Sequence, residues 1–174
     1  MKKRMNTNTM IQIAMLAALL AVMSKISFML PGGIPITLQT FGIFLIGGLL
    51  GPINGLITLL VYLFMGLVGI PVFSTFNTGI QAFIQPTGGY IIGFLPMVYL
   101  VGLGAKHKLL PQLIYNVLGL LTCHVLGLLM YHYITGVWIL PSIPLMLAKD
   151  IAVAVIAIFF SRELKTRLSF ITST

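Results

Sequence analysis

Lys149 and Asp150 stand side by side in a run from Ile139 to Phe160 that is otherwise apolar, small or proline. An ionised group in hydrocarbon costs at least about 2.5 kcal/mol on insertion scales, so it faces a cavity, a ligand or a partner. A buried ammonium holds an anionic or carbonyl oxygen by a charge-assisted hydrogen bond, and a carboxylate accepts from N–H and O–H donors. Neighbours on a helix point about 100° apart, so the two need not pair with each other. A structural ion pair tying this helix to others is the competing reading. Ser142 offers an N-cap with Pro144 in the first turn, which starts the helix there and sets Lys149 and Asp150 one to two turns inside.

The other reactive types point away from catalysis. Lys25, between Ser24 and Ser27, lies near the end of an apolar run and is expected to snorkel to the interface. His124 and His132 are about 12 Å apart along one helix, too far to share a metal, and are expected in the core or at an interface. Cys123 has no visible partner for nucleophilic work, and as the only cysteine it excludes an internal disulfide. The two carboxylates, Asp150 and Glu163, make no acid–base or metal-binding pair. A phosphate-cradling G-x-x-x-x-G-K-[ST] loop is absent. Neutral hydrogen-bonding candidates remain: Gln39, Asn77 and Tyr90, each in or beside a segment broken by Gly or Pro.

The elements that position these groups follow from composition. Of 174 residues, 59% are hydrophobic and 7% charged, so the surface cannot face water throughout. At about 20 residues per crossing, the chain holds roughly six spans. They are expected at 10–30, 36–51, 54–73, 79–104, 110–135 and 142–161, within a single membrane domain of residues 1–174. The net charge of +8 would suggest nucleic acid, but eight of the ten basic residues cluster at the N-terminus, around Ala105–Leu109 and in the C-terminal tail. Six spans put all three clusters on one face, which the positive-inside rule makes cytoplasmic. The fold class is therefore an all-α integral membrane protein, N-in and C-in, with no nucleic-acid partner. Lys2-Lys3-Arg4 and the run behind it read as a retained first helix rather than a cleaved leader.

Two features suggest function. From Pro35 to Leu50 the second span rises roughly 24 Å, short of a hydrocarbon core of about 30 Å. The segments Pro31–Pro35, Ile70–Gly79 and Pro86–Tyr90 sit at uncharged, outward ends, and irregular backbone at that depth is tolerated when it lines a cavity. A pocket opening to the outer face is expected. In the first span, Ala14, Ala17, Ala18 and Ala21 form two overlapping A-x-x-x-A patterns, which suit close approach of another helix, internal or from a partner.

In order along the chain stand Pro35-Ile36-Thr37-Leu38-Gln39-Thr40, Leu49-Leu50-Gly51-Pro52, Gly69-Ile70-Pro71-Val72-Phe73 and Pro86-Thr87-Gly88-Gly89-Tyr90-Ile91-Ile92-Gly93-Phe94. This succession resembles the BioY family, the biotin-specific substrate-binding (S) components of energy-coupling factor transporters, from about residue 10 to 165. The resemblance implies a six-helix protein of a bacterial or archaeal cytoplasmic membrane that captures biotin from outside. It implies as partners a transmembrane coupling protein and two ATP-binding cassette ATPases, with biotin as substrate and no cofactor. It turns the alanine stripe toward a docking face for the coupling protein. BioY proteins commonly open the last helix with Pro-Gly-Asp-x-x-Lys; here Pro144-Leu145-Met146-Leu147-Ala148-Lys149 keeps the lysine and puts Met146 at the acid, with Asp150 one turn further.

On that resemblance Gln39, Asn77, Tyr90, Lys149 and Asp150 are the expected substrate-binding residues. Asn77 and Gln39 would take the ureido ring, because an amide both donates and accepts. Lys149 would take the carboxylate of the valeryl tail. An S component for another vitamin, a structural subunit without a ligand and a small membrane enzyme are the rival readings.

Overall fold

A computed structural model of the chain describes residues 6–29, 35–74, 79–139, 141 and 143–172. Helices dominate: α1 (Thr7–Lys25), α2 (Gln39–Leu67), α3 (Gln81–Ile84), α4 (Gly88–Gly104), α5 (Leu109–Thr135) and α6 (Ile143–Thr172). Strands β1 (Ser27–Met29) and β2 (Pro35–Thr37) form a small antiparallel pair with Phe28 opposite Ile36. Helices α1, α2 and α5, and α6 over Ile143–Arg167, are long and apolar enough to cross a bilayer; α4 is apolar but shorter, at 17 residues.

Helix α2 is a hairpin of two limbs. At Gly51 the backbone takes φ 75° and ψ −173°, a conformation essentially confined to glycine, and Pro52 follows. The residue before a proline is also driven out of the helical region. A Cβ built at Gly55 would lie 3.5 Å from Cα of Gly47, whereas eight residues of continuous helix span about 12 Å. The Gln39 amide likewise reaches the Tyr62 hydroxyl at 3.0 Å across 23 residues of sequence. Limbs 39–50 and 52–67 therefore run antiparallel, as the expected second and third spans. The long helical segments among the described residues are thus α1, these two limbs, α4, α5 and α6, in the all-helical membrane architecture that the sequence predicts.

Element ends differ from expectation where extended pairing or proline intervenes. Helix α1 stops at Lys25 rather than near residue 30, because 27–29 pair with 35–37 and Leu38 N–H closes on Ile26 O at 3.1 Å. That strand pair fills the approach to the short second span, which begins at Gln39 instead of 36. Limb 52–67 ends before Gly69 (φ 96°) and Pro71 rather than at 73. The expected helix 79–104 is interrupted between α3 and α4, where Pro86 stands. Helix α6 continues past 161 to Thr172, with Arg167 and Glu163 paired one turn apart at 2.7 Å. The expected Ser142 cap and Pro31–Ile34 lie outside the described residues.

The core sits between the α2 limbs and α4, where Ile43, Phe44, Leu59, Tyr62, Met97, Val98 and Val101 are buried. Leu20 of α1, Leu120 of α5 and Ala154 of α6 close it. Around the outside, Met15, Phe64, Leu110 and Tyr133 are each more than 60% exposed, an arrangement that suits lipid and would be a liability in water. Arg162 of α6 donates to Gln112 Oε1 at 2.9 Å and to His107 O at 3.0 Å. The basic α4–α5 connection and the α6 tail are thereby fastened at one end of the bundle. Lys149 and Asp150 lie about 20 Å of helix away from that clasp.

Candidate ligand site

At the far end from the Arg162 clasp, one cavity gathers residues from distant segments. Thr37, Gln39 and Thr40 line it from β2 and the first limb of α2, and Ser74 from the segment after the second limb. Thr87, at the N-cap of α4, contributes with Tyr90, Ile91 and Phe94 of that helix, Leu120, Cys123 and His124 from α5, and Met146, Lys149 and Asp150 from α6. Four expected site residues, Gln39, Tyr90, Lys149 and Asp150, thus share one space. Asn77, the fifth, lies outside the described residues.

Each side chain is held by a traceable contact. Gln39 is buried at the start of α2 and gives its Nε2–H to the Tyr62 hydroxyl, which donates onward to Val72 O at 2.8 Å. The Ser24 hydroxyl also bonds Val72 O. The Lys25 ammonium donates to the neighbouring Phe73 O at 2.6 Å. Lys25 is therefore engaged with a carbonyl rather than simply snorkelling. It ties the end of α1 to the segment that carries Ser74, while Phe73 packs edge-on against Tyr62 and Phe83 at 5.6 Å each. Tyr90 presents its ring edge-to-face with His124, centroids 5.8 Å apart and planes at 86°. Its buried hydroxyl makes no hydrogen bond among the described residues.

Lys149 Nζ is in direct ionic contact with Asp150 Oδ1, the pairing that the sequence left open. Backbone spacing leaves these side chains about 100° apart, and the long lysine stem closes that angle. Asp150 is 3% exposed; its Oδ1 lies against the Lys149 ammonium, and its Oδ2 faces His124 Nε2 at 3.5 Å. Met146, in the place of the family's acid, lines the cavity one turn from Asp150. The two therefore share a face.

His124 is the residue that sequence reasoning passed over. It was expected as core, and it is indeed buried, but it lines the cavity opposite the charge pair. Depth was the available signal: His124 lies about three turns before the end of α5, and Asp150 about two turns into the next helix. His132 and His107 stack instead on Trp138 at 4.0 Å and on Tyr115 at 5.6 Å. The alanine stripe divides: Ala14 and Ala18 are exposed, Ala17 is in the core and Ala21 is half-buried against it.

Comparison with known proteins agrees with this fold. The BioY family model matches residues 1–170. A probable biotin transporter BioY from Pyrococcus horikoshii is 36% identical over 157 residues, covering 88% of this chain and 93% of that one. The biotin transporter BioY2 of Lactococcus lactis is 37% identical over 128 residues, covering 72% of this chain and 70% of that protein. Among solved structures, the S-component for biotin from an ECF-type ABC transporter superposes with a TM-score of 0.81 at 27% identity, covering 94% of this chain and 95% of its own.

Proposed function

The chain belongs to the BioY family, and from that premise we propose that it captures biotin as the S component of an energy-coupling factor transporter. It is a multi-pass protein of the cytoplasmic membrane. The observation that carries the reading is the cavity where Gln39, Tyr90, Lys149 and Asp150 converge, with Ile91, Phe94, Leu120 and Met146 as its apolar walls. Its placement away from the basic clasp supports an N-in, C-in chain whose pocket opens outward.

The Lys149–Asp150 contact changes which end of biotin belongs there. A carboxylate brought to Lys149 would meet the Asp150 charge at the same spot, and like charges in a poorly solvated site repel strongly. A ureido ring has a carbonyl acceptor flanked by N–H donors, which complements an ammonium set beside a carboxylate. The ring therefore sits at the Lys149–Asp150 pair, with Gln39 in the same cavity, and the valeryl carboxylate lies elsewhere. Mass spectrometry of small molecules released from detergent-purified protein should recover biotin at about one per chain, with titration confirming rebinding. A protein that neither releases nor binds biotin would leave the structural-subunit reading.

Uptake would be energised by a transmembrane coupling protein and two ATP-binding cassette ATPases. Ala14 and Ala18, exposed four residues apart on α1, offer the close-approach surface for the coupling protein. Replacing either by Trp should lower co-purification with that subunit by about tenfold or more, a loss of roughly 1.4 kcal/mol, and leave biotin binding unchanged. The reverse pattern, binding lost and assembly intact, assigns the stripe to internal packing.

A further inference from the structure

We propose that His124 is a third recognition residue of this site, whose Nε2 accepts a ring N–H of a bound cyclic urea. The inference rests on the biotin reading above and concerns a residue to which that reading gives no role.

Tautomer and spacing carry it. His124 Nδ1 lies 3.1 Å from Leu120 O, and a carbonyl has no hydrogen to give, so Nδ1 holds the proton. In the neutral ring Nε2 is then a bare lone pair. It is buried, makes no hydrogen bond among the described residues and faces Asp150 Oδ2 at 3.5 Å. That separation exceeds the 2.7–3.2 Å of an ordinary hydrogen bond, so the two atoms do not share a proton directly. Two acceptors 3.5 Å apart can both be reached by one N–H donor set to the side of the line joining them, at ordinary hydrogen-bond distance from each.

The surrounding elements hold the arrangement. From α4, the Tyr90 ring meets the imidazole edge-to-face and fixes its plane. The titratable groups facing the imidazole are Asp150 and Lys149 of α6 and Tyr90 of α4, with Cys123 beside it on α5; α2 contributes the neutral Gln39 and Thr40. The resulting set is one cationic donor and two acceptors, which matches a urea carbonyl and its N–H and does not match a carboxylate. His124 therefore acts on specificity, favouring ligands that keep the ring N–H free.

Titration calorimetry on the full-length protein in detergent tests this with biotin and its two ureido N-methyl derivatives. His124→Phe keeps a ring against Tyr90 and removes the acceptor. It should weaken biotin by about ten- to a hundredfold, the range for an N–H left unpaired on burial. One of the two methylations should cost the native protein a similar factor and cost the phenylalanine variant little. In native protein carrying isotope-labelled histidine, the unprotonated nitrogen signal absent from His124→Gln should shift on adding biotin. Equal biotin affinity in native protein and His124→Phe overturns the inference, as does a methylation penalty that survives the substitution in full. Should the phenylalanine variant not fold, a histidine signal unmoved by biotin overturns it equally. A native protein that does not bind biotin overturns the function proposed above and this inference with it.

Discussion

Removing either member of the Lys149–Asp150 pair is expected to destabilise the ligand-free protein by about 3–5 kcal/mol, and removing both together by much less. The asymmetry follows from burial: the side chains are 24% and 4% exposed, so a lone survivor is a charge with little water and no counter-ion. For a chain of this size the midpoint of thermal unfolding should fall by about 6–20 °C in Lys149→Met or Asp150→Leu. The double variant should recover most of that loss. Biotin binding behaves oppositely, since the ureido ring needs both groups. Single and double variants should all bind at least about a hundredfold more weakly than native protein. Recovery of binding in the double variant would make the pair structural only. A double variant as unstable as its parents would mean that the two charges have other partners.

The same variants settle ligand orientation. If Lys149 holds the ureido carbonyl, Lys149→Met weakens biotin and the neutral biotin amide by the same factor, because both keep the ring. A loss confined to the acid would return the valeryl carboxylate to Lys149, where the sequence alone first suggested it.

What could be read from residue order was what hydrophobicity, charge and backbone chemistry dictate locally. The basic clusters and apolar runs predicted an all-helical membrane fold, and the break expected between spans 36–51 and 54–73 falls at the Gly51-Pro52 reversal of α2. Lys149 and Asp150 were legible as cavity-lining candidates because a charge inside an apolar helix has no inert surface to occupy. What was hidden depends on distant contacts. Lys25 finds its acceptor in Phe73, 48 residues on, and Gln39 finds Tyr62 through the fold of α2. Whether Lys149 turns toward Asp150 is a rotamer choice that spacing leaves open, and it bears directly on which end of a ligand the lysine would meet. His124 looked like any buried histidine until α6 was placed across from α5. The family resemblance supplied biotin; local chemistry alone stopped at a pocket with buried charge.

Gly102→Ala is expected to destabilise the fold although alanine is the better helix former by about 1 kcal/mol. Gly102 is where α4 crosses the reversal of α2, and a Cβ there would collide with backbone atoms of Gly51 and Pro52. Backbone at a glycine–proline turn cannot rotate aside, so α4 would have to back away, loosening Val98 and Val101 from the core. Overpacking costs typically about 1–3 kcal/mol and more against unyielding neighbours. A net loss of about 2 kcal/mol, or about 4–8 °C in unfolding midpoint, is therefore expected for alanine. Gly102→Leu should yield no folded protein. Two other glycines separate the causes. Gly51 has nothing within 4 Å of its would-be Cβ, so Gly51→Ala reports only the conformational penalty of φ 75°, about 1–3 kcal/mol. At Gly55 the Cβ would meet a methyl of Val98 at 3.3 Å, a side chain able to give, so Gly55→Ala should stay within about 1 kcal/mol of native protein. Should Gly102→Ala melt at or above the native temperature, helix propensity outweighs the contact. Close approach at Gly102 would then not be what holds α4, and the Tyr90 it carries, against the cavity.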